Sequence, residues 1–146
     1  MTAATDIADR ADIERLVRAF YADAMADPMI GYLFTDVAQL DLEVHVPVIT
    51  DFWETVLLGS GAYRGGAFAP HARLDARSPL RDGHFRRWVA LWAQTVDAHF
   101  AGPVAETAKA HAQRVARAFS RRLQGLSEEP AEPGLLRVIP PGPAPR

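Results

Sequence analysis

The sequence predicts an all-α protein, because several long stretches repeat apolar residues at helical spacing and none alternates polar and apolar residues as strands do. Four such stretches are separated by glycine or proline, which end helices. Apolar residues make up 49% of the 146-residue chain, which is enough for the core of one domain. We therefore expect one helical domain over residues 1–126.

The first helix is expected in ADIERLVRAFYADAMAD, where apolar residues recur every three or four positions. Asp9 or Asp12 is its candidate N-terminal cap. Asp27 and Pro28 should end it, since proline disfavours a helical conformation in the residue before it. The short apolar segment PMIGYLF that follows has room for about one helical turn.

The second helix is expected in LDLEVHVPVITDFWETVLLG, which carries one wide apolar stripe. Proline is tolerated mainly in the first turn of a helix, so Pro47 predicts that the regular helix begins near Val44. Gly59 is the predicted C-terminal stop.

A loop should follow the second helix, because four of the residues 59–66 are glycine. PHARL then predicts one turn of helix with Pro70 at its start. The third long helix is expected in PLRDGHFRRWVALWAQTVDAHF, and the fourth in VAETAKAHAQRVARAFSRRLQGL. Gly102 and Pro103 separate these two helices.

Residues 127–146 differ in composition from the rest of the chain, since six of them are proline. That composition cannot supply a packed core, so we expect an extended or disordered tail.

Charge and composition exclude several classes of protein. The net charge of −2 gives no reason to expect a nucleic acid or an anionic membrane as partner. No cysteine is present to form disulfides, thiolate metal sites or a thiol nucleophile. The N-terminus is polar, and no apolar run approaches the ~20 residues that span a bilayer. The sequence thus favours a cytoplasmic protein.

The five histidines are the candidate metal ligands. His84, His99 and His111 are expected at the surface, because they lie on long helices beside charged or small residues. His45 opens a strongly apolar helix, and His71 follows the glycine-rich loop. Each of these two is either a core or cap histidine, or one of a pair that face each other across a flat object.

Three aromatic residues on apolar faces leave a similar choice open. Tyr21, Phe34 and Trp88 are each explained by core packing. Tyrosine and tryptophan, however, carry a polar atom that needs a partner when buried. A cavity that holds a diatomic ligand could provide that partner.

An ordered set of these features resembles the truncated haemoglobins, and within them group III. The resemblance covers roughly residues 8–125 and depends on FY, IGYLF, HVPVITDFWETVLLGSGAY, PHARL and HFRRWVALWAQTVD in this order. It implies a shortened globin fold, with helices packed two-over-two around haem b. It also implies that the helix carrying the iron ligand is reduced to a turn within a loop.

The resemblance assigns His71 as the axial iron ligand, whose other ring nitrogen should donate to a backbone carbonyl. Tyr21, His45 and Trp88 would be hydrogen-bond donors on the opposite, distal side. The implied haem pocket is lined by Tyr21, Phe34, His45, Ile49, Phe52, Trp53, Leu74 and Trp88.

The implied function is reversible binding of O2, nitric oxide or related diatomic ligands. A nitric oxide dioxygenase or a peroxidase-like enzyme is the alternative on the same scaffold, and it would need a separate reductase because the chain has no flavin or nicotinamide motif. A helical interaction module without cofactor is the third hypothesis.

Overall fold

The structure, a computed structural model, describes residues 4–63 and 65–125. These residues form five α-helices and one π-helical turn, and no strand occurs among them. The helices are α1 (Arg10–Ala26), α2 (Leu42–Leu58), α3 (Phe68–Arg77), α4 (Asp82–His99) and α5 (Pro103–Leu123), with the π-helical turn at Leu33–Val37. The prediction of an all-α fold is confirmed. The predicted tail, residues 127–146, lies outside the described residues.

Helix α1 begins and ends where the local signals place it. The Asp9 side chain caps the helix by accepting a hydrogen bond from the Asp12 N–H at 2.9 Å. Asp27, before Pro28, leaves the helix in an extended conformation. Asp9 rather than Asp12 is therefore the cap.

Helix α2 begins earlier than predicted, at Leu42 instead of near Val44. Asp41 caps this start by accepting a hydrogen bond from the Glu43 N–H at 3.1 Å. Pro47 lies inside the helix, where its missing N–H leaves the carbonyl of Glu43 without its helical donor. Glu43 is exposed, so water can satisfy that carbonyl and the helix continues. Gly59 ends α2 in the left-handed conformation, at φ 71°, as expected.

Helix α3 is longer than the single turn predicted from PHARL. It spans ten residues and begins two positions before Pro70. Its apolar side chains Phe68 and Leu74 are half-buried against the core, and Phe68 packs on Phe119 of α5 with ring centroids 5.4 Å apart. Contact with α5 stabilises the additional turns, which the local sequence does not predict.

The long helices pack as two pairs. Helix α1 lies against α2, and α4 lies against α5, while α1 also contacts α4 and α5 contacts α2 and α3. The faces that meet between the pairs bury large apolar side chains, among them Leu16, Phe20, Trp92 and Val96. None of the described helices is long and apolar enough to cross a membrane.

Two carboxylates fix helix ends over long distances in the sequence. The Asp6 side chain accepts hydrogen bonds from the N–H groups of Val104 (2.9 Å) and Ala105 (2.8 Å), and so caps α5. Gly102 permits this contact, because its φ is 144° and a Cβ there would lie 2.4 Å from the Asp6 carboxyl carbon. The cap ties the N-terminal segment to the start of α5.

Asp27 joins the end of α1 to α4. Its nearly buried carboxylate accepts two hydrogen bonds from the Arg87 guanidinium, at 3.0 and 2.6 Å, and two from the N–H groups of Met29 and Ile30. The Arg87 guanidinium holds the pKa of the Asp27 carboxyl below its usual value. The pair therefore orients the chain that leads into the π-helical turn.

Candidate functional site

His71 is the fourth residue of α3, and its ring is half-buried. The distance from His71 Nδ1 to the carbonyl oxygen of Ala67 is 2.7 Å. A carbonyl can only accept, so Nδ1 carries the ring proton and Nε2 keeps a free lone pair. Burial lowers the pKa of His71, which favours the neutral imidazole, and the hydrogen bond to Ala67 only partly opposes that effect. The ring also packs on Phe119, at 5.0 Å between centroids.

His45 approaches the same region from α2. It is the fourth residue of that helix and is half-buried. Its pKa is lowered by burial first and by an electrostatic effect of His71 second, so the neutral imidazole is favoured.

Tyr21 of α1 lies between the π-helical turn and α2. Its buried ring makes edge contacts with Phe34, at 5.7 Å between centroids, and with His45, at 5.6 Å. Burial raises the pKa of the phenol, which therefore stays protonated and remains a hydrogen-bond donor near neutral pH. Burial is the only cause of this shift, and the hydroxyl makes no hydrogen bond to any residue within 4–63 and 65–125.

Trp88 of α4 is half-buried and stands further from this group. Its ring contacts among the described residues are with Phe20, at 6.1 Å, and with Trp92, at 6.4 Å in a nearly parallel orientation. Phe20 in turn touches Tyr21 at 5.3 Å. The structure therefore assembles Tyr21 and His45 directly, while Trp88 joins them through Phe20.

The remaining predicted pocket residues belong to α2 and α3. Phe52 and Trp53 are buried and pack edge to face at 5.1 Å. Trp53 also stacks on Trp92 at 4.6 Å, which couples this wall to the core between the helix pairs. Ile49 and Leu74 are half-buried and pack against the core. Phe52 and Trp53 thus belong to the packed core as much as to a pocket wall.

The prediction of a surface position for His111 is wrong. Only 2% of this residue is exposed, and its ring packs on Phe52 at 6.0 Å and Trp53 at 5.9 Å. The neighbouring alanines of α5 are small enough to let that helix approach α2 closely. The sequence did indicate burial of His111, since the apolar residues Val115 and Phe119 follow it at helical spacing on the same face.

The environment of His111 is unusual for a histidine. Burial first, and then the Arg114 guanidinium, lower the pKa of His111 to about 4. Arg114 Nη2 lies 3.5 Å from Nδ1, and Nε2 is buried with no hydrogen-bond partner among the described residues. His99, by contrast, is exposed as expected, and His84 is half-buried and accepts a hydrogen bond from the Arg81 N–H at 2.9 Å.

Tyr63, in the loop before α3, was not predicted from the sequence as a residue of the site. Only 6% of Tyr63 is exposed, and its ring packs on Phe52 at 5.2 Å. Its N–H donates to Thr55 Oγ1 at 3.0 Å, which ties the loop to α2. No motif marks this residue, because its partners lie on α2 and not in its own loop.

No protein-family model matches the chain, and no curated protein gives a significant match. Comparison with solved structures gives a match to the crystal structure of a group III truncated haemoglobin from Campylobacter jejuni. The TM-score is 0.73 and the identity 22%, and the match covers 87% of this chain and 100% of the other. The resemblance drawn from the sequence is therefore confirmed for the fold. The chain has the truncated globin fold of a group III truncated haemoglobin.

Proposed function

We propose that the protein binds haem b through His71 and uses it to bind O2 and related diatomic ligands reversibly. The observation that carries this proposal is the hydrogen bond from His71 Nδ1 to the Ala67 carbonyl, at 2.7 Å. It leaves a neutral imidazole with a free Nε2 lone pair, which is the form that ligates haem iron. The Campylobacter jejuni protein with the same fold is described as a haemoglobin, which supports the assignment.

The metal-ligand chemistry of the chain also fits haem. Within residues 4–63 and 65–125, no three or more His, Cys, Asp or Glu side chains converge where they could hold a metal ion. A metal held here by one histidine needs its other ligands from a cofactor, and a porphyrin supplies four nitrogens in a plane. In this proposal His71 of α3 lies on one face of such a plane and His45 of α2 on the other.

When bound, haem supplies an iron with one open coordination position for a diatomic ligand. Tyr21 keeps its proton and has no other partner among the described residues, so its O–H can donate to that ligand. Burial favours the neutral form of His45, whose ring can donate through one nitrogen. We expect these donors to stabilise a ligand with anionic character more than a neutral one, because an anionic acceptor forms the stronger, charge-assisted hydrogen bonds.

The test is the absorption spectrum of the full chain purified from cells with sufficient haem, in the ferric, ferrous and carbonyl forms. We expect a Soret band that shifts between these forms. His71→Gly should lose the haem, or retain it only with added imidazole. His99→Gly, which alters an exposed histidine, is the control and should bind haem normally. A chain without a Soret band would instead be a helical interaction module, and normal haem binding by His71→Gly would overturn the assignment of His71.

A further inference from the structure

One side chain of α5, Phe119, contacts two side chains of α3. Phe68 and His71 lie three residues apart and therefore project from the same face of α3. The Phe119 ring centroid is 5.4 Å from that of Phe68 and 5.0 Å from that of the His71 imidazole. Only 7% of Phe119 is exposed. A buried ring of α5 thus touches the histidine and the residue one turn before it.

Phe68 is held by a matching arrangement on the facing helix. Phe119 and Arg122 are also three residues apart, and the Phe68 ring contacts both of them. The guanidinium carbon of Arg122 lies over the face of the Phe68 ring, 3.8 Å from its centroid, which is a favourable cation–π contact. Each of the two phenylalanine rings therefore makes two contacts with the opposite helix.

These contacts matter because α3 buries little of its own surface. None of its ten residues is fully buried, and its packing partners are mainly α5 and the π-helical turn. A helix with so few buried contacts shifts easily unless those contacts are specific. The direction in which His71 points is therefore set largely by the side chains of α5 that meet it.

The hydrogen bond to Ala67 does not fix the imidazole by itself. It holds Nδ1 2.7 Å from the Ala67 oxygen and leaves the ring free to turn about that point. Ala67 is also the residue directly before α3, so the bond moves with this helix. A contact from another helix is needed to fix the ring relative to the rest of the protein. Phe119, whose ring is inclined at 54° to the imidazole, makes such a contact.

We propose that Phe119 is a positioning residue for His71, because its ring, held against Phe68, fixes the plane of the imidazole and keeps Nδ1 on the Ala67 carbonyl. The free lone pair on Nε2 then points in one direction. A metal ligand must direct its lone pair along the bond that it forms, so neighbours that orient a ligating histidine affect the strength of that bond. The consequence at iron rests on the proposed function, whereas the effect on the imidazole does not.

Phe119→Leu is the discriminating variant, because it keeps an apolar side chain in the core and removes the ring that contacts His71. Phe100→Leu is the matched control. Phe100 is also buried, with 2% exposed, and its ring contacts are with residues of α1 and α4 rather than α3. Phe68→Leu loosens the Phe119 ring from its other side, and it should disturb folding less because Phe68 is only half-buried.

Exchange of the His71 Nδ1 proton with water, followed by nitrogen-15 NMR, reports directly on the imidazole. The proton exchanges when the ring turns away from the Ala67 carbonyl. We expect exchange to accelerate about two- to tenfold in Phe119→Leu, the range that corresponds to one aromatic pair. It should also accelerate in Phe68→Leu and stay unchanged in Phe100→Leu. The full chain is used as purified, reduced under carbon monoxide so that any haem present is diamagnetic.

An unchanged exchange rate in Phe119→Leu would overturn the proposal. Equal acceleration in Phe100→Leu would overturn it too, because any cavity in the core would then have the same effect. If Phe119→Leu does not fold, Phe68→Leu decides in the same way. Where haem is bound, the iron–histidine stretching band of the ferrous protein should also move to lower frequency in Phe119→Leu and not in Phe100→Leu. The Soret band of the wild-type chain tests the haem proposal separately.

Discussion

The free energy of unfolding should fall between pH 7 and pH 4 because of one buried residue, His111. Its pKa is lowered to about 4 by burial and by Arg114. In the unfolded chain the same imidazole titrates near 6.5. The unfolded state therefore binds a proton more readily than the folded state throughout this interval, so acidification favours unfolding.

The magnitude follows from the difference between the two pKa values. Each unit corresponds to about 1.4 kcal/mol, so about 2.5 units give a loss near 3 kcal/mol once the pH reaches 4. About 2 kcal/mol of that loss should already be present at pH 5. Above about pH 7.5 the contribution of His111 no longer depends on pH. A loss of this size is a large part of the stability of an ordinary domain.

The assay compares the wild-type chain with His111→Leu by urea unfolding at pH 7.5, 6.5, 5.5 and 5.0. Leucine has a similar volume and no titrating group. All other histidines and carboxylates are common to both proteins, so their pH dependence cancels in the difference. At pH 7.5 we expect the variant to be as stable as the wild type or more stable, because the substitution removes a buried ring nitrogen without a partner.

Two results would refute this reasoning. Parallel pH dependences of the two proteins would mean that the pKa of His111 is not lowered in the folded state. A loss of more than about 2 kcal/mol in His111→Leu at pH 7.5 would mean that Nε2 makes a hydrogen bond after all.

Two further predictions concern the ion pair between Asp27, at the end of α1, and Arg87 of α4, and the distal side of the proposed haem site. Arg87→Met leaves the nearly buried Asp27 carboxylate without its partner and should cost about 2 kcal/mol in urea unfolding, whereas Arg86→Met, which breaks an exposed pair, should cost at most about 1 kcal/mol. Equal losses would show that burial of Asp27 is unimportant. Tyr21→Phe should speed O2 dissociation about tenfold in stopped-flow experiments and change carbon monoxide dissociation much less. Adding Trp88→Phe should not give an additive effect if both donors serve one ligand, and equal effects on the two gases would mean that Tyr21 acts only by its size.

The sequence predicted the helix ends that depend on neighbouring residues. Asp9 before α1 and Gly59 after α2 act within one turn, so the signal and its effect lie together. The length of α3 could not be predicted in this way. Its additional turns are stabilised by Phe68 against Phe119, which is 51 residues away in the sequence.

In the candidate site, too, some residues could be predicted from the sequence, and others depend on contacts between distant parts of the chain. The residues assigned through the resemblance, including His45 and His71, were named because the order of five segments along the chain resembles that of a known family. Tyr63 was not, because its contacts with Phe52 and Thr55 of α2 are made only in three dimensions. His111 was misplaced because its charged and small neighbours suggested a solvent-facing position, although its periodicity with Val115 pointed inward.

The Asp6 cap on α5 has a consequence for the order of folding. It joins residues 98 positions apart in the sequence, and closing so long a loop costs conformational entropy before the contact contributes anything. We therefore expect the cap to form after α1 and α4 have packed, when the start of α5 is already close to the N-terminal segment. Contacts made after the transition state slow unfolding and leave the folding rate nearly unchanged. During synthesis, Asp6 emerges first and must wait for its partners, Val104 and Ala105, to leave the ribosome.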